Sequence, residues 1–409
     1  MPTKTVADLP DRRIAGTRIL VRVDFNVPLD ANRRVTDDIR IVRALPTLRY
    51  LLERGGRLVV TSHLGRPKGG EDPAFSLEPV AHHLSTLLEY PVRFCSQLVG
   101  PEARKAVEEL TDGELLLLEN TRFHDGEKKN DPELSRALAD FGDLFVNDAF
   151  GSAHRAHAST VGAAQVLRER GREVVGGFLM EKELHYLGMV LETPRRPFVA
   201  VLGGAKISGK IDVIHSLLPK VDKLLVGGAM ANTFFRAMGL ETGDSLVEDD
   251  RVDLARSTLE EAGEKLLLPV DCVVAREISE AAETREVERA AVKAGEKIGD
   301  IGNGSRELFA RALKGAGTVV WNGPMGVFEM APFAEGTLAV ARAVATASDE
   351  GGTTVVGGGD SALAAERAHV VERLSHVSTG GGASLEFLSG AILPGVAALD
   401  VKEREGEAS

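Results

Sequence analysis

The sequence predicts an α/β protein built on parallel β-sheets. Short β-branched or leucine-rich runs alternate with helical patterns along the whole chain, as expected of repeated βαβ units. Only 5% of the residues are aromatic and 44 are glycine, which suits an α/β chain with tight turns better than an all-β one. With 409 residues and 43% hydrophobic content, the chain is long enough for about two to three domains with cores of their own.

In the first half, four apolar runs predict strands. They cover residues 19–23, 58–60, 115–118 and 145–146, and they are followed by DFN, TSHLGRPKG, ENTRFH and NDAFGSAHRAHAST. Apolar stripes predict helices over residues 40–54, 76–88 and 132–141. Because ligands of open parallel sheets bind at the carboxyl ends of the strands, the polar tails are where we expect function.

A stretch near the middle of the chain, residues 178–197, predicts an amphipathic helix. Phe178, Leu184, Leu187 and Leu191 recur at helical spacing, and two prolines, the first of them Pro194, follow. The pattern fits a joint between two halves of different chemistry. It fits a crossover helix inside one large sheet equally well.

In the second half, five apolar runs predict strands with glycine-rich tails. They cover residues 198–202, 224–226, 319–320, 354–356 and 377–378, and they are followed by GGAKISGK, GGAMANTF, WNGPMGVFE, GGGDS and TGGGAS. The charge-rich segment 249–299 predicts solvated helical surface.

The composition restricts the partners. A formal net charge of -12 argues against nucleic acid or an anionic membrane as partner, because the summed field repels polyanions. No run approaches the roughly 18 apolar residues of a membrane span. Cys95 and Cys272 lie far apart without metal-ligand spacing, so we expect reduced thiols in a cytoplasmic protein.

Cationic side chains gather in the tails of the first half. Arginine suits phosphate and carboxylate oxygens, and neighbouring Asp24 and Asn26 could bind hydroxyls, so the set could form a site for a small polyanionic hydroxy acid. A single arginine carries little weight in a chain with 49 Lys and Arg. His154 and His157 form an HxxH that could ligate a metal, although the HExxH spacing of zincins is absent. The cationic residues are Arg40, His63, Arg66, Arg122 and Arg155.

The tails of the second half suit a nucleotide phosphate. Glycine-rich turns let backbone N–H groups and helix N-termini approach an anion, although any one of them could serve only a tight turn. Lys206 and Lys210 add positive charge, Asp360 could hold Mg²⁺ directly or through water, and Glu329 could bind a ribose hydroxyl.

Two common nucleotide-binding motifs are not supported. Residues 204–210 match G-x-x-x-x-G-K, but Ile211 follows where a P-loop needs the Mg²⁺-binding Ser or Thr. No G-x-G-x-x-G follows a strand and opens a helix, so a dinucleotide dehydrogenase has no positive support.

Seven segments in this order resemble the signature segments of the phosphoglycerate kinase family: VRVDFNVP, TSHLGRPKG, NDAFGSAHRAHAST, VLGGAK, WNGPMGVFE, GGGDS and STGGGASLE. The resemblance implies an α/β fold with two Rossmann-like lobes whose parallel sheets are joined by a long interdomain helix. It implies a phosphoglycerate-binding lobe over residues 1–175 with the tail 394–409 packing back on it. It further implies an interdomain helix and hinge at 176–193 and a nucleotide-binding lobe at 194–393.

The resemblance also implies an activity. This is the reversible in-line transfer of a phosphoryl group from 1,3-bisphosphoglycerate to MgADP, giving 3-phosphoglycerate and ATP in glycolysis or gluconeogenesis. Hinge closure would bring the lobes of a monomer together. The rival hypotheses are a P-loop NTPase, a different ATP-dependent kinase and a non-catalytic nucleotide-binding module.

Carried over to this chain, the resemblance assigns site residues. The phosphoglycerate ligands would be Asp24, Asn26, Arg40, His63, Leu64, Gly65, Arg66, Arg122 and Arg155. The nucleotide ligands would be Lys206, Lys210, Asn322, Glu329, Gly358, Gly359, Asp360 and Ser361, with Asp360 also serving Mg²⁺. Arg40 and Lys206 would be catalytic, and backbone N–H groups of the turns at 358–359 and 380–382 would assist.

Three positions depart from the family pattern. Gly209 stands where the family usually has Asp before the second Lys, which could loosen that turn. Ile298 stands where a Gly commonly approaches the adenine, with Gly299 next to it, so the base pocket is the least secure part of the assignment. Asn303 and Gly304 replace a common Pro-Lys pair that varies within the family.

Overall fold

Two parallel sheets, each in its own compact unit, form the framework of the protein. The computed structural model describes residues 3–68 and 70–402. One unit comprises Met1–Leu184 with Ile392–Ser409, and the other comprises His185–Ala391. Part of the predicted C-terminal tail, residues 403–409, lies outside the described residues, as do residues 1, 2 and 69 of the predicted first lobe.

The sheet of the first unit has six parallel strands. Its strands are β1 (Arg18–Val23), β2 (Arg57–Thr61), β3 (Val92–Cys95), β4 (Leu115–Leu118), β5 (Leu144–Asp148) and β6 (Val174–Gly176). They lie in the order β3-β4-β2-β1-β5-β6. Strand order reverses between the adjacent β1 and β5, so the loops that follow these two strands diverge there and leave a crevice of the kind that binds ligands.

Helices cover this sheet and bury its apolar side chains. They are α1 (Ile39–Glu53), α2 (Glu78–Leu88), α3 (Pro101–Glu108), α4 (Pro132–Ala139) and α5 (Ala163–Glu169). Helix α4 begins after Asp131, whose carboxylate accepts hydrogen bonds from the N–H groups of Glu133 and Leu134. The core of the unit includes Val21, Leu48 and Val60, all fully buried. Because both faces of the sheet are covered, the sequences of its strands are continuous apolar runs rather than alternating patterns.

The predicted amphipathic helix is confirmed as α6 (Phe178–Glu192), which ends before Pro194. The boundary between the two units falls within it, after Leu184. Its first turn is held by the first unit: Thr47 Oγ1 accepts a hydrogen bond from the Phe178 N–H at 2.9 Å, and Asp148 Oδ1 accepts one from the Met180 N–H at 3.1 Å. Its role as an interdomain joint remains a proposal.

The second unit contains a six-stranded parallel sheet and a small antiparallel one. The strands are β7 (Phe198–Leu202), β8 (Lys223–Val226), β9 (Leu266–Leu267), β10 (Asp271–Ala275), β11 (Arg285–Glu288), β12 (Lys297–Ile301), β13 (Thr318–Asn322), β14 (Thr353–Gly357) and β15 (His376–Val377). The parallel sheet has the order β15-β14-β13-β7-β8-β9, so its strand order reverses between β7 and β13. The prediction of an α/β protein with parallel sheets is confirmed.

Helices of the second unit pack around a core that includes the fully buried Trp321 and Phe309. They are α7 (Ile211–Leu217), α8 (Met230–Ala237), α9 (Val252–Ala262), α10 (Asn303–Leu313), α11 (Glu335–Asp349), α12 (Gly359–Arg367) and α13 (Gly382–Leu388). A last short helix, α14 (Pro394–Ala397), belongs to the first unit, where Gly395 N–H donates to Ala153 O at 2.8 Å. In the described part of the chain, no helix is long and apolar enough to cross a membrane.

The prediction of helical surface over residues 249–299 is wrong for its second part. Helix α9 is present, but β10, β11 and β12 form an antiparallel sheet in the order β11-β10-β12. Cys272 pairs with Val287 on one side and with Ile301 on the other, and all three are buried. In β11 only Val287 is buried among exposed charges, so the strand is too short and too polar to show a period-2 pattern in the sequence.

Candidate functional site

Asp24 and Arg40 meet at the carboxyl edge of the first sheet. Asp24 directly follows β1, and Arg40 lies in the first turn of α1. Arg40 Nη1 donates to Asp24 Oδ2 at 2.9 Å. Burial alone raises the pKa of the Asp24 carboxyl, but interactions with neighbouring His63, Arg40 and Arg22 outweigh burial and lower the pKa to about 2. The carboxylate is therefore ionised at neutral pH and holds one edge of the Arg40 guanidinium.

The loop that follows β2 is shaped by two asparagines. Asn26 Oδ1 accepts a hydrogen bond from the Gly65 N–H at 2.7 Å, and Asn120 Nδ2 donates to Leu64 O at 2.8 Å. Gly65 has a φ of +61°, and a Cβ at this position would lie 2.2 Å from the ring of Phe75. Only glycine fits this turn without displacing its neighbours.

The remaining predicted ligands of the first half surround this loop. Arg122 Nη1 donates to Gly65 O at 2.6 Å, and the nearby charge of Arg66 contributes to the lowered pKa of Arg122, after burial as the main cause. Arg155 is exposed, and its Nε donates to His154 Nε2 at 3.0 Å. The structure thus brings Asp24, Asn26, Arg40, His63, Gly65 and Arg122 into one connected cluster, while Arg66 and Arg155 lie at its exposed margin.

The sequence prediction missed two buried charges beneath this cluster. Arg22 in β1 and Glu127 are both fully buried, and Ser159 lies between them. Arg22 Nη2 also lies 3.1 Å from His63 Nδ1. The available signal was an arginine inside the apolar strand RILVRV, because a charge is buried only when it is paired.

The two histidines of the HxxH motif have different partners. His157 is buried with Nδ1 3.8 Å from Glu127 Oε1, whereas His154 contacts Arg155. Across residues 3–68 and 70–402, no group of three or more His, Cys, Asp or Glu side chains is arranged to hold a metal ion.

In the second unit, a cavity of about 350 Å³ lies where β7 and β13 are neighbours and their loops diverge. Lys210 lines it, and its Nζ donates to Asn322 O at 2.9 Å and also to Asn322 Oδ1. Burial lowers the pKa of Lys210 to about 8, against the opposing charge of Asp360. Lys206 also lines the cavity and is exposed.

The N-terminus of α12 forms another wall of this cavity. Ser361 Oγ accepts a hydrogen bond from the Gly323 N–H at 2.6 Å, and Asn322 Nδ2 donates to Gly357 O at 2.7 Å. Gly358, at a φ of +94°, precedes the helix, and the exposed Asp360 lies in its first turn. Free backbone N–H groups at a helix N-terminus attract an anion. The glycines that also line this cavity are Gly203, Gly204, Gly209, Gly323, Gly359, Gly381 and Gly382.

A larger cavity of about 560 Å³ adjoins the first and shares Gly204, Ala205, Pro324 and Asp360 with it. Ile298, Cys272 and Met325 give it apolar walls, and the exposed Glu329 stands at its edge. Together the two cavities combine apolar walls with a helix N-terminus and two lysines, which is the arrangement that the sequence predicts for a nucleotide site.

Two of the positions that depart from the family pattern line these cavities. Ile298 lines the larger one, and a Cβ on Gly299 would lie 2.2 Å from the buried ring of Phe333, so Phe333 occupies the space that a side chain at 299 would need. Gly209 lines the smaller one, where a Cβ would meet only Lys206 O, at 4.0 Å, so that position is sterically open.

Comparison with known proteins gives one consistent result. Residues 9–391 match the profile of the family described as "Phosphoglycerate kinase". A phosphoglycerate kinase of Chlorobium phaeovibrioides is 54% identical over 403 residues, covering 98% of this chain and 100% of the relative. One of Chloroflexus aggregans is 54% identical over 408 residues, covering 98% of this chain and 100% of the relative.

Solved structures agree. The phosphoglycerate kinase of Coxiella burnetii has a TM-score of 0.85 at 40% identity and covers 97% of this chain and 98% of its own. That of Pyrococcus horikoshii OT3 has a TM-score of 0.83 at 33% identity, with coverage of 97% and 98%.

Proposed function

This chain belongs to the phosphoglycerate kinase family, and from that premise we propose which of its side chains bind each substrate and carry the reaction. The resemblance seen in the sequence is confirmed. The activity is the glycolytic phosphoryl transfer between 1,3-bisphosphoglycerate and ADP, which yields 3-phosphoglycerate and ATP.

The phosphoglycerate site is the cluster at the carboxyl edge of the first sheet. The observation that carries this proposal is the linked set of contacts from Arg40 to Asp24 and from Asn26 through Gly65 to Arg122. Guanidinium groups suit the phosphate and carboxylate of the ligand, and the ionised Asp24 suits its hydroxyl. Arg66 and Arg155, both at the margin, add charge from the solvent side.

The nucleotide site combines the two cavities of the second unit. The phosphates lie against Lys206, Lys210 and the N-terminus of α12, where Gly358 and Gly359 offer N–H groups. The base enters the apolar cavity beside Ile298. Glu329, at the edge of that cavity, binds the ribose.

Asp360 is the residue that would hold Mg²⁺ with the nucleotide. It is an exposed carboxylate at the mouth of the phosphate cavity. A single carboxylate fits Mg²⁺, which is usually bound by one or two carboxylates together with substrate phosphates. When bound, the ion would neutralise charge on the phosphate oxygens.

The reaction requires the protein to position the two substrates and does not require it to transfer a proton. In the direction that consumes ATP, the nucleophile is a carboxylate already ionised at pH 7, so no general base is needed. Arg40 and Lys206 stabilise the equatorial oxygens of the transferring group, helped by backbone N–H groups of the glycine turns. In the second unit, Asn322 accepts a hydrogen bond from Lys210 and so positions its ammonium group. Ser361 accepts one from the Gly323 N–H and so holds the turn at Gly323.

The proposed ligands of the two substrates fall in different units, so transfer requires that ligand binding bring the units together and exclude water. We place the flexing segment at the end of α6, over residues 192–197, directly before β7. We further propose a monomeric protein that acts in the cytoplasm. The buried thiols of Cys95 and Cys272 are both free, as in a reducing compartment.

Separate binding measurements test the site assignment. By calorimetry, Arg122→Met should weaken 3-phosphoglycerate binding and leave ADP binding unchanged, and Lys210→Met should do the reverse. Arg104→Met on α3 and Lys314→Met after α10, both at exposed positions, are the matched controls. Loss of ADP affinity in folded Arg122→Met, or unchanged 3-phosphoglycerate affinity, would contradict the assignment.

A further inference from the structure

Two buried charges lie beneath the phosphoglycerate site and form one fixed arrangement. Arg22 Nε donates to Ser159 Oγ at 2.9 Å, and this hydroxyl donates to Glu127 Oε1 at 2.6 Å. The Ser159 N–H donates to Glu127 Oε2 at 3.0 Å. Arg22 and Glu127 are both 0% exposed. The guanidinium is therefore held in a single orientation by a buried carboxylate acting through a hydroxyl.

The Nη2 group of Arg22 determines which ring nitrogen of His63 carries the proton. Arg22 Nη2 lies 3.1 Å from His63 Nδ1. A guanidinium has only hydrogen-bond donors, so Nδ1 must be the acceptor and the proton of the neutral ring must sit on Nε2. The other candidate partner of Nδ1 is Asp24 Oδ1, at 3.9 Å, which is beyond hydrogen-bond distance.

We infer that Arg22 is a positioning residue that holds His63 as the neutral Nε2–H tautomer, so that His63 serves as a fixed, uncharged hydrogen-bond donor to an anionic oxygen of phosphoglycerate. Among the residues that the structure describes, His63 Nε2 has no hydrogen-bond partner, so it is free to take a ligand. The inference rests on the proposed substrate site for its ligand, but its tautomer claim stands on the contacts of Arg22 alone.

The surroundings of His63 disfavour the imidazolium. Burial is the main cause that lowers the pKa of His63 to about 3, and the charges of Arg22, Arg122 and Arg40 act in the same direction. Asp24 is the group that opposes them. The ring therefore gives the same hydrogen bond to a ligand throughout the physiological range, whereas an ordinary histidine would change its charge there.

The direct test is nuclear magnetic resonance of ligand-free protein labelled with ¹⁵N-histidine. The chain has 10 histidines, and His63→Gln assigns the resonances of His63. We expect one pyridine-like nitrogen, Nδ1, and one pyrrole-like nitrogen, Nε2, with no titration between pH 5 and pH 8. A proton on Nδ1, or a titration in that range, overturns the inference without bearing on the activity.

A variant tests whether Arg22 is the cause. Because Arg22→Met alone leaves a buried carboxylate unpaired and could fail to fold, the experiment uses Arg22→Met/Glu127→Gln. We expect His63 to show mixed tautomers and the KM for 3-phosphoglycerate to rise about tenfold, because the Nε2–H donor is then present in only part of the molecules. The KM for MgATP should not change. Arg18→Met is the matched control, because Arg18 starts the same strand but bonds Asp143.

The outcomes separate the two claims. If the double variant keeps the single Nε2–H tautomer, Arg22 does not set it and the inference fails. If the tautomer changes but the KM for 3-phosphoglycerate does not, His63 is not a donor to this ligand. That second result would overturn the donor role and remove His63 from the proposed substrate site, although turnover could continue.

Discussion

The substitution Gly65→Ala tests the geometry of the proposed phosphoglycerate site, because it adds a single carbon atom to the loop. The added Cβ would lie 2.2 Å from the Phe75 ring, and the φ of +61° is disfavoured for alanine. Backbone strain of this kind costs about 1–3 kcal/mol. Relief of that strain would move the Gly65 N–H away from Asn26 Oδ1 and its carbonyl oxygen away from Arg122 Nη1, which now lie at 2.7 Å and 2.6 Å.

If the strain is relieved at the expense of ligand binding, the affinity for 3-phosphoglycerate falls by about 5- to 150-fold. Steady-state kinetics should show this as a raised KM for 3-phosphoglycerate with an unchanged KM for MgATP. Phe75→Ala/Gly65→Ala removes the clash but keeps the strained φ, so it should recover only part of the affinity. A folded Gly65→Ala protein with normal KM for 3-phosphoglycerate would refute the assignment of this loop.

Three further predictions concern charge and motion. Lys206→Ala and Arg40→Ala should each lower kcat by about 10²-fold or more, as expected for loss of a preorganised charge donor, and a near-normal kcat would remove that residue from catalysis. The lowered pKa of Lys210, about 8, means that its ammonium is lost as pH rises through 8, so kcat/KM for MgADP should decline above that value in wild type. A profile that stays flat up to about pH 9.5 would contradict this role of Lys210. Small-angle scattering should show a smaller radius of gyration with both substrates bound than without them, and no change would count against closure.

Local sequence patterns were sufficient to locate a candidate site residue where a strand leads directly into a loop of the proposed site. Asp24 follows an apolar run, and Lys206 and Asp360 follow glycine-rich ends of strands, so the parallel-sheet rule alone placed them at the correct edges. The order of strands within each sheet did not follow from these patterns, because pairing such as β1 with β5 joins residues distant in sequence.

Other features depended on contacts between distant segments. The partner of Arg22 is reached through Ser159 and Glu127, and neither is marked by its own local pattern. The space above Gly299 in β12 is filled by Phe333, which lies in the segment between β13 and α11. The antiparallel sheet was missed because Val287 is the only buried residue of its strand. In each case a tertiary neighbour, rather than local propensity, determines the structure.

A coupled assay with purified protein, 3-phosphoglycerate and MgATP tests the assigned activity most directly. We predict formation of 1,3-bisphosphoglycerate and ADP that requires both substrates and falls by about 10²-fold in Lys206→Ala. ATP hydrolysis without 3-phosphoglycerate would favour an NTPase, and nucleotide binding without turnover would favour a binding module. Either result would contradict phosphoryl transfer to 3-phosphoglycerate as the activity of this chain.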